Sequence, residues 1–86
     1  MTEIVLANDK YYTIGDLAPA TYFTYCNRED LGKAVYMRIK DIWGQSGSCY
    51  NCVCIHPGKT KDVPGQLYRA LDDYNLIVLS KVVIHD

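Results

Sequence analysis

The fold class this sequence predicts is mainly β: a small antiparallel sheet of about five strands, curled into a barrel-like domain with little helix. Three observations carry that expectation. Chain breakers recur at short spacing, at Pro19, Gly32, Gly44, Gly47, Pro57, Gly58, Pro64 and Gly65, and they leave little room for helices. The runs between them are rich in aromatic and β-branched residues, which suit a pleated, half-buried surface. Outside one segment near Leu67, no apolar stretch keeps a helical period for two turns. Closure or half-closure would hide the edges that so short a sheet otherwise exposes.

Strands are expected at residues 4–6, 21–26, 34–43, 49–56 and 76–85. Thr13-Ile14-Gly15-Asp16-Leu17 reads as a capped turn, with Thr13 as cap and Asp16 reaching back. In the third run, Val35, Met37 and Ile39 alternate with Tyr36, Arg38 and Lys40, which predicts the first set inward and the second outward. In the fourth, Asn51, Val53 and Ile55 form a core-like side, while Tyr50, Cys52, Cys54 and His56 collect on the other. Residues 58–65 are polar, hold two breakers and read as a mobile loop. Residues 67–73 suit either a helical turn or an edge strand. The last run is apolar on both sides over Leu76-Ile77-Val78-Leu79. A surplus apolar face of that kind predicts a subunit contact, and hence a homo-oligomer, most simply a dimer.

The chain has 86 residues, of which 49% are hydrophobic, so it is expected to fold as a single domain over residues 1–86. Nine basic and ten acidic residues leave a net charge of -1, which argues against a partner in long nucleic acid. A small anionic ligand needs only a few local donors and remains compatible. Met1 to Asn8 lacks the basic start and long apolar run of a signal peptide, and no run approaches the ~20 apolar residues of a membrane span. The expectation is a soluble cytoplasmic protein without a membrane partner, its four cysteines reduced.

Three constellations are candidates for chemistry. Cys49 and Cys52 have the spacing of a zinc half-site, which Cys54, His56, Cys26 or His85 would complete. Alternation with apolar residues instead reads these thiols as small core side chains. Cys54 and His56 are a nucleophile–base candidate, but two positions along a strand span roughly 6–7 Å, too far for a direct hydrogen bond. No phosphate-binding motif is present. Neither a catalytic residue nor a cofactor is assigned, and the protein is read as a non-enzyme.

The third constellation is aromatic and cationic. There are eight tyrosines, and a tyrosine offers a flat apolar face with a polar tip. Tyr36, Arg38 and Lys40 share one strand side, and Tyr50 and His56 share another. If the two strands are neighbours, these five residues form a ligand-binding surface for a nucleotide-sized anion, with Arg38 on the phosphate and a tyrosine stacked on the base. The competing reading is a set of half-buried tyrosines on an ordinary small sheet.

The order Thr13-Ile14-Gly15-Asp16-Leu17-Ala18-Pro19-Ala20-Thr21-Tyr22-Phe23, then Val35-Tyr36-Met37-Arg38-Ile39, then Asn51-Cys52-Val53-Cys54-Ile55-His56-Pro57-Gly58 resembles small β-rich accessory proteins of bacteriophages and prophages. The likeness is one of spacing over about the middle half of the chain, with Ala20 where such proteins usually carry glycine. It implies a phage protein acting in the host cytoplasm, and it makes an anti-defence role the leading expectation. That role is either sequestration of a small nucleotide-derived signal or inhibition of a host protein through exposed tyrosines. A small zinc-stabilised domain is the third reading.

Overall fold

The computed structural model describes residues 2–6, 10–26, 34–44 and 46–84, with the side chains of residues 2–6, Lys81, Val83 and Ile84 left aside. Among the described residues six strands follow one another: β1 (Thr2–Leu6), β2 (Tyr22–Tyr25), β3 (Val35–Trp43), β4 (Cys49–His56), β5 (Leu67–Tyr68) and β6 (Leu76–Ile84), with one 3-10 turn at Ile14–Asp16 before β2. They form one sheet in the order β1-β6-β2-β3-β4-β5, and every pairing is antiparallel. The segment at residues 67–73 supplies an edge strand rather than a helical turn.

The local signals act as expected in the first connection. The Asp16 carboxylate reaches back to accept the Thr13 backbone N–H at 3.1 Å and the Thr13 hydroxyl at 3.0 Å. Pro19 and Ala20 then make a turn closed by Thr21 N–H to Ala18 O at 3.2 Å. Ala20 has φ 71°, the left-handed conformation that glycine adopts without cost and alanine does not.

The sheet is open, which corrects the barrel expectation. Its ends are β1 and β5, and these are not paired with each other. The cause lies in β6. Its first three residues pair with β2, through Leu76–Tyr25, Ile77–Thr24 and Val78–Phe23. Its remainder pairs with β1, from Leu79–Leu6 to Ile84–Thr2. The two neighbours are thus offset along β6, and β5 at the far end has only two residues of ladder to offer. Closure needs strands of matched length and stagger.

The main core cluster lies on one side of this sheet, while Thr24, Val35 and Ile77 are buried on the other. Phe23, Tyr36, Cys52, Cys54 and Leu76 form the cluster, capped by Ile14, Leu17, Ala34 and Ala70 and flanked by Tyr12, Tyr25, Tyr68 and Val78. Directly opposed residues of an antiparallel pair share a side, so the Phe23–Tyr36 and Tyr36–Cys54 pairs place these side chains together. The core is therefore on the tyrosine and cysteine side of β3 and β4, the reverse of the orientation expected for Tyr36, Cys52 and Cys54. Val35 is also buried on the opposite side, whereas Met37, Val53 and Ile55 are only half-buried.

Leu76, Ile77 and Leu79 are all buried within the chain. Leu76 is bracketed by Tyr25 on one edge and by a backbone bridge to Tyr12 on the other. Among the described residues, no helix is long and apolar enough to cross a membrane.

Candidate functional site

Two irregularities in the β3–β4 pairing decide where the candidate residues go. One lies between Val35–His56 and Tyr36–Cys54, where β4 carries Ile55 as an extra residue. This bulge takes His56 off the Cys54 side and sets it beside Val35. The other lies between Arg38–Cys52 and Ile42–Tyr50, where Ile39, Lys40 and Asp41 stand against Asn51 alone.

Arg38 occupies the second bulge. Its Nη1 donates to the carbonyls of Ile39 at 2.6 Å and Asn51 at 3.2 Å, and to the Asp41 carboxylate at 2.9 Å. Its side chain is 14% exposed, and its Nε is buried without a hydrogen-bond partner. A guanidinium held in this way closes backbone carbonyls that the irregular ladder leaves open. Lys40 is exposed at the bulge, and Tyr50 is half-buried opposite Ile42.

Tyr36 lies inside the molecule, 1% exposed. Its ring stacks on Phe23 with centroids 5.8 Å apart and meets Tyr25 edge-on at 5.2 Å; Tyr25 in turn meets Tyr74 edge-on. The Tyr36 hydroxyl donates to the Asp62 carboxylate. Burial pushes the hydroxyls of Tyr36 and Tyr25 well above the ordinary phenol range, and the Asp62 charge adds to both shifts. His56 is half-buried at the other end of β4, where its Nδ1 accepts the Gly58 N–H at 3.1 Å. The five expected ligand-binding residues thus divide three ways. Arg38, Lys40 and Tyr50 gather along the distal hairpin, Tyr36 is in the core, and His56 sits beside Val35.

The thiols behave as core side chains. Cys49, Cys52 and Cys54 are free and buried, and burial raises the Cys52 thiol to about 11 and the Cys54 thiol in the same direction. Cys49 opposes Trp43 while Cys52 opposes Arg38, so three steps along an extended strand put these two thiols on opposite sides. A zinc half-site brings its pair together on a tight turn. Among the described residues, no three His, Cys, Asp or Glu side chains are grouped as metal ligands would be; His85 lies outside the described residues.

A different surface emerges on the side away from the aromatic core. Tyr22, Met37, Val53 and Leu67 are paired in sequence across β2, β3, β4 and β5 and make one apolar row, none of it fully buried. By alternation, Trp43 falls on this same side at the distal end of the hairpin. Trp43 is 70% exposed, Tyr22 41% and the adjacent Ile42 45%. Sequence reasoning missed this row because its side of β3 and β4 carries the residues that pattern assigns to the interior. The lone tryptophan beside the Gly44–Gly47 turn was the available signal.

No protein-family model matches this chain, and no curated protein or solved structure matches it either.

Proposed function

We propose that this protein is a non-enzymatic binding module that engages another protein through the apolar row Tyr22–Met37–Val53–Leu67, with Trp43 as its anchor. The observation that carries this reading is the exposure of Trp43 at the end of a hairpin whose same side continues into a half-exposed apolar row. Exposed aromatics next to a flat apolar surface are the usual energetic centres of protein interfaces. The spacing resemblance to phage accessory proteins makes a host protein the natural class of partner, in an inhibitor or adaptor role. Capture of a nucleotide-derived signal finds less support in the geometry. Tyr36 is engaged in the core, and Arg38 already serves two carbonyls and Asp41.

Affinity capture from extracts of the candidate host, using wild type, Trp43→Ala and Tyr22→Ala, tests the proposal. A host protein retained by wild type and lost by both folded variants is the expected result. Equal retention by all three, or calorimetric heat with cyclic dinucleotides that both variants preserve, overturns it.

A further inference from the structure

Residues 57–66, which join β4 to β5, are attached to the molecule in an unusual way. Lys59, Lys61, Val63, Pro64, Gly65 and Gln66 are all exposed, so the segment has little apolar burial to hold it down. Its exit is anchored by backbone, with Gly65 N–H to Cys54 O at 2.7 Å and Cys54 N–H to Gln66 O at 3.1 Å. Its middle is a preformed turn. There Thr60 donates through its hydroxyl to Pro57 O at 2.7 Å, and its Oγ1 accepts the Asp62 N–H at 3.2 Å. Two tyrosine hydroxyls reach that turn from the sheet: Tyr36 donates to the Asp62 carboxylate, and Tyr68 accepts the Val63 N–H at 2.7 Å.

Beneath Asp62 lies the floor of the core. Tyr36 and Cys54 face each other across β3 and β4, Tyr25 packs on Tyr36, and the Asp62 charge is felt at Tyr25, Tyr36, Cys52 and Cys54 alike. The segment thus crosses over an aromatic and thiol floor and is tied there by the tips of side chains.

We propose that residues 57–64 form a strap that lifts from the sheet without global unfolding, hinged at the Gly65 and Gln66 backbone bonds to Cys54, with the Tyr36–Asp62 contact as its catch and the Cys54 thiol and Tyr25–Tyr36 edge as the surface it uncovers. The sheet below is held by ladders and buried rings, the strap by a few polar contacts, so the two have separate stabilities. This inference is independent of the protein-binding reading, because the apolar row lies on the other side of the sheet.

Native-state labelling with N-ethylmaleimide, read cysteine by cysteine by mass spectrometry, tests it, with global stability measured for each variant by denaturant titration. Cys26 is exposed, and Cys52 is buried in the ladder between Arg38 and Tyr68, so they report free reactivity and opening of the sheet. In wild type, Cys54 should label faster than Cys52. Tyr36→Phe and Asp62→Asn should each speed Cys54 labelling by about tenfold or more beyond the change in global stability, the magnitude of one lost charge-assisted hydrogen bond. Tyr36→Phe keeps the Asp62 charge, so an altered thiol acidity cannot account for acceleration in both. Cys54 labelling that tracks Cys52 in wild type and both variants, or acceleration in Asp62→Asn alone, overturns the strap; should Tyr36→Phe fail to fold, the Cys54-to-Cys52 ratio in wild type decides.

Discussion

The two ends of the β3–β4 hairpin are built from the same alternating pattern and have opposite fates. At the proximal end, β2 covers one edge through Phe23–Tyr36 and Tyr22–Met37, and β5 covers the other through Tyr68–Cys52 and Leu67–Val53. Val35, Tyr36, Cys52 and Cys54 are buried there. Past Arg38, the β2 side ends in the bonds of Thr21 O and Ala20 N–H to the Arg38 backbone. Past Cys52, the described β4–β5 pairing also ends. Ile42 and Trp43 lie in that distal stretch and are exposed. For these large side chains burial follows from lateral neighbours more than from the character of the residues, while the small Cys49 opposite Trp43 is buried without them. An isolated two-stranded ribbon is marginal in water, and here the bulge around Arg38 and the tight Gly44 N–H to Ser48 O bond of 2.6 Å stand in for missing strands.

The contrast can be broken from its buried end. Tyr36→Ala removes the ring that joins Phe23 and Tyr25 and the donor to Asp62, and it should cost about 3–5 kcal/mol in denaturant unfolding. A cost below about 1 kcal/mol would mean that the aromatic cluster is not the centre of stability.

Next in size is the junction between the two ends. Asn51 uses its amide as a short piece of strand: Nδ2 donates to Ala70 O at 2.9 Å and Oδ1 accepts the Ala70 N–H at 2.8 Å. Both groups are buried, so Asn51→Ala leaves a peptide unit without partners and should cost about 2–3 kcal/mol. Asn51→Asp should be as harmful near neutral pH, since an ionised carboxylate cannot donate to Ala70 O. Equal thermal midpoints for wild type and both variants would show that the Ala70 segment is held by other means.

The smallest effect belongs to the distal end. Trp43→Ala should change stability by no more than about 0.5 kcal/mol while abolishing partner capture, because the ring has little packing to lose. A larger loss of stability would place the ring in the fold of the subunit and remove it from the proposed interface.

Much of the fold was legible along the chain, because strand positions depend on local features. The patterns at 34–43, 49–56 and 76–85 correspond to β3, β4 and β6 within a residue at each end, and the Thr13–Asp16 turn formed as its spacing suggested. The choice of side was not legible. Tyr36, Cys52 and Cys54 are as consistent with an outer surface as with a core, and their burial follows from pairing with Phe23, which is itself set by Val78 far along the chain. Nor does period-two counting anticipate a bulge, and the extra residue at Ile55 alone separates His56 from Cys54. The candidate site suffered most, since a surface assembled from four strands depends on every register being right.

By itself, then, the sequence determined that this protein is an antiparallel β domain with little helix, where most of its strands begin and end, and which turns join them. Breakers, capping residues and alternation act over a few neighbouring residues and need no partner. Tertiary structure alone decided that the sheet stays open, that its core is aromatic and thiol-lined, and that Trp43 and the Tyr22–Leu67 row remain uncovered. Those outcomes rest on hydrogen-bond register between segments more than fifty residues apart, such as Phe23 and Val78, and one residue of slip there exchanges the inside of a sheet for its outside.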